Sequence, residues 1–305
     1  MDDDRFKELI GRFGSKTVCV IGDFILDEYL IGDTRRVSRE APVVVIDYRS
    51  SAYHPGGAAN AVQNVASMGA ACRAIGVVGE DAHGKILRGL LDARGADTSG
   101  LLPAGEVETA VKTRILAGEL HAQKQQVARI DRSYRLDTRA DVHDVLGSAV
   151  AEGVTGSDAV LISDYGMGVV PGPVSALAIE ASRERGVPVV VDSRFQMLGY
   201  SGATVATPNE VERRGMVVYG AGGSVERIGI VGTRDITDVT GAGDTVAAIV
   251  SLALASGATL AESAEVATYA ASVVVMKRGT ATITPEELTA VRAKHPRPAV
   301  VETEP

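Results

Sequence analysis

Apolar runs of strand length alternate along this chain with amphipathic or alanine-rich stretches of helix length, and few architectures accept that rhythm. Strand, helix and strand in succession bring the chain back in the same direction, so the pattern specifies a parallel sheet covered by crossover helices, an α/β fold. It predicts core strands at Thr17 to Ile21, Arg73 to Val78, Ala159 to Ser163, Pro188 to Asp192 and Ala203 to Ala206. The helices fall at Ala58 to Met68, Ile86 to Arg94, Asp141 to Glu152, Pro173 to Arg185, Ala242 to Ser256, Leu260 to Met276 and Pro285 to Ala293. Two starts carry their own signal: Thr259 with Glu262 is a capping box, and Thr284-Pro285 with Glu287 adds proline at the first helical position.

Two stretches break the alternation. Leu26 to Ser50 and about Val107 to Asp131 read as strands without helices, with period-2 character in Val43 to Tyr48 and Val111 to Ile115. They predict one small antiparallel sheet built from two insertions, whose open face a substrate cleft or a partner subunit would cover. The tail from Lys294 to Pro305 is charged and Pro-containing, as a frayed end is.

Composition closes several routes. A chain of 305 residues, 45% hydrophobic, can bury about three quarters of its unfolded surface, so it is globular. A formal charge of -8, with eight Tyr, four Phe and no Trp, offers nucleic acid neither a basic footprint nor stacking platforms. Cys19 and Cys72 lie in or beside apolar runs and cannot build a disulfide framework. The acidic N-terminus is unlike a signal peptide, and the apolar stretch from Val246 to Ala255 is too short to span a bilayer. The expectation is a soluble, cytoplasmic protein.

Three constellations could carry chemistry. Asp238-Val239-Thr240-Gly241-Ala242-Gly243-Asp244-Thr245 opens an unbroken apolar helix. Small residues there let backbone N–H groups approach an anion, and Asp244 in the first turn could take a proton from a nucleophile; an ordinary glycine-rich helix entry is the alternative. Pro55-Gly56-Gly57-Ala58-Ala59-Asn60 opens another helix, where paired glycines admit a polyhydroxylated ligand and Asn60 offers a donor and an acceptor, or simply a turn and a cap. Ile21-Gly22-Asp23-Phe24-Ile25-Leu26-Asp27 ends a strand at the edge where open α/β sheets bind ligands, so its two carboxylates could hold sugar hydroxyls or merely be solvated. Gly79 to Ile86 imitates a phosphate-binding loop, but Ile86 replaces the hydroxyl that would ligate Mg²⁺. The five histidines show no metal-ligand spacing.

Gly56-Gly57-Ala58-Ala59-Asn60 and Asp238 to Asp244, in this order, resemble the two signatures of the ribokinase-like (PfkB) carbohydrate kinases. Gly22 to Tyr29, Arg36 to Val43, Gln125 to Asp131 and Ser163 to Gly168 narrow the resemblance to the branch that phosphorylates D-glycero-β-D-manno-heptose 7-phosphate at its anomeric hydroxyl for ADP-heptose synthesis. The resemblance implies a three-layer α/β/α sandwich spanning residues 1–305 with a small β lid, ATP and Mg²⁺ as cofactors, and a homodimer formed through that lid. It makes Asp244 the catalytic base and Gly241, Ala242, Gly243 and Asp244 the hole for phosphoryl charge. Asp23, Asp27, Gly56, Gly57, Asn60 and Asp164 would hold the sugar, and Arg36, Lys112, Arg114 and Arg129 its 7-phosphate. Arg194, Asn209, Thr240, Gly241, Gly243 and Gly279 would meet the nucleotide, and Asn209 with Glu212 would organise the waters of Mg²⁺.

Ser193-Arg194 stands where relatives carry Pro-Lys, Thr268 where they carry Asn, and Met276 where they carry Gly. Relatives also place a helix and a strand after Glu212, whereas a parallel neighbour here lacks its crossover of about a dozen residues or more. The expectation is a segment missing between Glu212 and Arg213, with natural truncation as the alternative. A kinase for another sugar or a nucleoside, and a non-catalytic sugar-phosphate sensor, remain open.

Overall fold

In the computed structural model the apolar run at Thr17 is buried on both faces, as a central parallel strand must be. Residues 1–104, 107–119, 123–134, 136, 140–170, 172–194, 199–207, 216–219, 225–228, 231 and 238–295 are described, with residues 36, 140–143, 216–219 and 225–227 as backbone only. The chain begins α1 (Asp3–Phe13), β1 (Thr17–Gly22), β2 (Phe24–Val37), β3 (Val44–Gly57), α2 (Ala58–Ser67), β4 (Ala71–Val78) and α3 (Ala82–Asp92). It continues β5 (Leu101–Pro103), β6 (Ala110–Gly118), β7 (Gln125–Arg132), α4 (Ala140–Val154), β8 (Ala159–Asp164), α5 (Pro173–Arg185), β9 (Val189–Ser193) and β10 (Val205–Ala206). It closes with β11 (Met216–Tyr219), β12 (Val225–Ile228), α6 (Ala242–Ala255), α7 (Leu260–Val274) and α8 (Pro285–Lys294).

Six parallel strands form the main sheet in the order β10-β9-β8-β1-β4-β5. Alternate residues feed two cores: Val18, Val20, Ala74 and Leu161 pack with α1, α2, α3, α6, α7 and α8. Cys19, Ile21, Ile75 and Ile162 pack with α4 and α5 on the other face. The result is an α/β/α sandwich. Both expected capping boxes are present, and among the described residues no helix is long and apolar enough to cross a membrane.

The core strands and helices fall where the alternation puts them, with one early start. The helix expected from Ile86 begins at Ala82, because the Asp81 carboxylate accepts from the Gly84 amide at 2.7 Å and caps it. The same carboxylate accepts from the Thr109 amide and hydroxyl, both at 2.8 Å, so the phosphate-loop lookalike is a helix cap. Three elements were not anticipated: α1, the short β5, and the antiparallel β11–β12 pair. In α1, Phe6, Leu9, Ile10 and Phe13 form a buried stripe behind an acidic first turn. On α8, Arg292 is 4% exposed. Its guanidinium donates to Asp3 at 3.0 Å, Glu265 at 2.5 Å and the Tyr269 hydroxyl at 2.8 Å, clasping α8 to α1 and α7.

The second sheet has the order β3-β2-β6-β7. It differs from the simple antiparallel sheet expected: each hairpin is antiparallel, but β2 and β6 pair in parallel from Ile25 with Ala110 to Asp33 with Gly118. The junction is parallel because the hairpins meet through their two outgoing strands. The strands also reach further inward than Leu26 to Ser50, since β2 starts at Phe24 and β3 runs to Gly57, and Phe24, Ile25 and Leu26 are fully buried. Its outer part exposes Val37, Val43, Val44, Tyr48, Val127 and Ile130. The positions where a missing segment is expected, Glu212 and Arg213, and the tail beyond His295 lie outside the described residues.

Candidate active site

The order of the main sheet reverses at β1, with β4 on one side and β8 on the other, and such a switch point opens a crevice at the carboxyl ends of the strands. Asp23 stands there. Its amide donates to the Ser163 carbonyl at 3.0 Å, and its Oδ2 accepts from the amides of Tyr165 at 2.8 Å and Met167 at 3.1 Å. Its Oδ1 is buried without a partner among the described residues. Burial pushes the Asp23 carboxyl up to about 6, against those amide donors. The Val169 amide also favours the charged form, and an oxygen with no direct partner among the described residues can accept a ligand hydroxyl.

The glycine-rich signature ends at the N-terminus of α6. Gly241 caps the helix at φ 80°, and a Cβ there would collide with the amide nitrogen of Asn60, so both backbone and space demand glycine. The Ala242 amide turns back to the Val239 carbonyl at 3.2 Å, and the Thr245 amide donates to Gly241 at 3.1 Å. The amides of Gly243 and Asp244, rather than that of Ala242, are therefore left for an anion.

Asp244 is 3% exposed and held at both oxygens. Asn60 Nδ2 donates to Oδ2 at 2.8 Å, and the Tyr165 hydroxyl donates to Oδ1 at 2.7 Å. Asn60 is itself fixed: it also donates to the Gly241 carbonyl at 3.2 Å and accepts from Gln63 at 2.6 Å and Asn64 at 3.2 Å. The two signatures thus meet through Asn60, whose amide serves the carboxylate before it can serve a sugar. Burial pushes the Asp244 carboxyl up to about 6, while Asn60, Tyr165, Arg194 and Lys112 restrain the rise.

Cations and further carboxylates surround this pair. Lys112 Nζ lies 4.7 Å and Arg194 Cζ 4.3 Å from the centre of the Tyr165 ring. Burial, then Arg194, lowers the Lys112 pKa. Asp192 is pushed up to about 7 by burial and by Asp244, and its Oδ1 is buried with no partner among the described residues. Along the same face of β6, Arg114 donates to Asp27 at 2.6 Å and lies over the Tyr29 ring at 5.4 Å. Gly56 makes room for that carboxylate, since a Cβ would stand 2.8 Å from Asp27 Oδ2. Gly57, at φ 56°, brings β3 against the Asp23 carbonyl.

The remaining expected residues divide. Asp164 uses both oxygens on the protein, accepting from Gly166 N at 2.8 Å, Ser193 Oγ at 2.8 Å and the Tyr200 hydroxyl at 2.7 Å, and so braces the crevice wall. Asp238 accepts from the amides of Thr240 and Gly279, each at 2.9 Å, and binds those two turns together. Arg129 is exposed on the outer strand β7, where it pairs with Asp131 on its own strand and stands opposite Arg114 in the ladder. The backbone of Arg36 pairs with Val45 near the tip of the lid, and Asn209 and Glu212 lie outside the described residues. Among the described residues no three His, Cys, Asp or Glu side chains gather to hold a metal. Tyr165, Gln63, Asn64 and Asp192 belong to the site without having been singled out; of these only Tyr165 sits in a motif that stood out, Ser163 to Gly168.

The arrangement offers a buried carboxylate that can accept a proton, a helix N-terminus and two cations that can hold an anion, and a free carboxylate oxygen for a hydroxyl. The model of the pfkB family carbohydrate kinases matches residues 15–218 and 213–287. The bifunctional protein HldE of Citrifermentans bemidjiense is 35% identical over 327 residues, covering 95% of this chain and 66% of its own length. HldE of Gluconacetobacter diazotrophicus is 36% identical over 307 residues, covering 88% of this chain and 62% of its own. The chain therefore spans less than two thirds of these relatives, and the 327-residue alignment exceeds its whole 305 residues.

Among solved structures, Arabidopsis thaliana ribokinase complexed with ribose and ATP superposes with a TM-score of 0.64 at 19% identity, over 90% of this chain and 98% of that one. The tetrameric inhibited form of phosphofructokinase-2 from Escherichia coli gives 0.70 at 16%, over 92% and 99%. At those identities the fold alone is shared, and it is ribokinase-like. The matched motifs, the fold and the buried Asp244 at the head of α6 agree, and this chain belongs to the pfkB family as a carbohydrate kinase.

Proposed function

We propose that this kinase transfers the γ-phosphoryl group of ATP to the anomeric hydroxyl of D-glycero-β-D-manno-heptose 7-phosphate, giving the 1,7-bisphosphate, in the cytoplasm. The observation that carries the reading is Asp244, buried at a helix N-terminus, oriented by Asn60 and Tyr165, and flanked by Lys112 and Arg194. The heptose assignment rests on the motifs quoted above and on relatives named HldE. ATP is supported by ribokinases of the same fold, one complexed with ribose and ATP and that of Cryptococcus neoformans with ADP.

The sugar lies against Gly56 and Gly57 with a hydroxyl on Asp23 Oδ1. As the anomeric oxygen attacks the γ-phosphorus, its proton passes to Asp244, the bond from that phosphorus to the bridging oxygen breaks, and ADP leaves. The amides of Gly243 and Asp244, with Lys112 and Arg194, meet the charge on the moving phosphoryl group. Arg114, further along β6 and already paired with Asp27, is the cation for the 7-phosphate. The amide and carboxylate of Asn209 and Glu212 are oxygen donors suited to a hydrated Mg²⁺, which when bound neutralises phosphate charge. Thr240 and Gly279 line the nucleotide side.

A segment missing beside Glu212 is supported by the alignment longer than the chain and by the family match that breaks at residues 213–218. The exposed apolar residues of the lid support a homodimer. The test is ADP release with Mg·ATP against heptose 7-phosphate, fructose 6-phosphate, ribose, fructose and adenosine. Turnover with the heptose phosphate alone is expected; preference for another acceptor overturns the substrate.

A further inference from the structure

The Tyr165 ring is gripped from outside and its hydroxyl is spent inside. Lys112 from β6 and Arg194 from the end of β9 both lie over the ring, at 4.7 and 4.3 Å, while its oxygen donates to Asp244 Oδ1 at 2.7 Å. Asn60 occupies the other carboxylate oxygen from α2, so the carboxylate plane is fixed by two donors from two elements. A carboxylate oxygen has two lone pairs, and Tyr165 takes one of those on Oδ1, leaving the other for a substrate hydroxyl.

We propose that Tyr165 is a positioning residue for the base: its hydroxyl turns the Asp244 carboxylate and keeps it ionised for the acceptor hydroxyl. The inference rests on Asp244 being the base, as proposed above. The groups that face Asp244 are Tyr165, Lys112, Arg194 and Asp192, together with the neutral Asn60. Asp192 opposes its ionisation, Lys112 and Arg194 favour it from a distance, and Asn60 and Tyr165 favour it by direct donation. The phenol remains a donor throughout, because burial and the neighbouring carboxylates raise its own pKa. Tyr165 thereby couples two duties: its ring carries the cations that meet phosphate, and its hydroxyl prepares the carboxylate that takes the proton.

Tyr165→Phe separates the two duties, since it retains the ring and deletes only the donor. The base must be ionised, so removing a donor to its charged form moves the acid limb of kcat/KM to higher pH, by about one unit. The expected loss of rate is about fivefold at pH 6 and fades by pH 9, because a one-unit rise in pKa matters only below the limb. KM for ATP and for the sugar phosphate stays within about twofold, since the cation-bearing ring is intact. A second measurement needs no turnover: ¹³C titration of the Asp244 carboxyl in the ligand-free protein, its resonance identified by loss in Asp244→Asn. An upward move of that titration in Tyr165→Phe is expected. A rate loss equal at all pH values, with the Asp244 titration unmoved and the melting temperature unchanged, overturns the proposal. If the wild-type protein phosphorylates none of the sugars, the substrate reading fails, and the ligand-free titration alone decides the role of Tyr165.

Discussion

The crevice around Asp244 and the clasp around Arg292 both bury charge, and they do so with opposite consequences. At the clasp, one guanidinium meets Asp3, Glu265 and the Tyr269 hydroxyl and lies over the Phe6 and Tyr269 rings, so each polar group has a counterpart. At the crevice, Asp23, Asp192 and Asp244 are all buried and pushed toward neutrality, and two of them keep an oxygen with no partner among the described residues. Matched burial ties elements together, whereas unmatched burial is tolerated where a substrate will complete it.

The sharpest way to break this contrast is Asp244→Asn. Turnover should fall about a thousandfold, the scale of a lost general base, while the melting temperature holds or rises slightly at neutral pH; a cooperative loss of stability would place Asp244 with the clasp instead. Arg292→Ala should do the reverse. Losing the donors to Asp3, Glu265 and Tyr269 costs about 2 kcal/mol in a denaturant titration, since Glu265 keeps the Met1 ammonium at 2.7 Å, with kcat within about twofold of wild type once folded.

Between these extremes, Arg114→Gln frees Asp27 and should raise KM for the sugar phosphate about tenfold with kcat little changed, the cost of one charged hydrogen bond. The pH response sharpens the comparison further. Asp23 and Asp244 have folded-state values near 6 against an ordinary 3.8, so the folded protein takes up protons before the unfolded chain does. Stability should therefore gain about 1.5 kcal/mol from these two groups as pH falls from 7 to 5.5, while kcat/KM falls over the same window; parallel trends in the two would sink the assignment. Arg129→Ala should change sugar-phosphate KM by less than about twofold, because an exposed pair with Asp131 contributes little.

The main sheet could be read from sequence because its strands are apolar on both faces and its helices announce their caps, as Thr259 and Thr284 do. Helix α1 escaped because Asp2, Asp3 and Asp4 hide a buried stripe that begins only at Phe6. Within the site, Asp23 and Asp244 stood out as carboxylates at element ends, where local chemistry is visible. The work of Asn60 was not visible: its partner Asp244 is 184 positions away, and an amide that could bind a sugar looks the same in sequence as one that holds a base. Arg129 and Lys112 likewise look equivalent in sequence; the ladder puts Arg129 opposite Arg114, and only its place on the exposed outer strand β7 separates it from the lysine beside Tyr165.

Strand β2 leaves the core one residue after Asp23, and β3 returns to it at Gly57, where α2 and Asn60 begin. Lid and floor are therefore one pair of continuous ribbons. Any tilt of the outer ribbon is delivered at its root to Asp23, Gly57 and Asn60, the residues proposed to hold the sugar and orient the base. A graft that exchanges this outer sheet between relatives must cut within those ribbons, and on the proposed reading it carries the alignment of the reaction along with the choice of sugar.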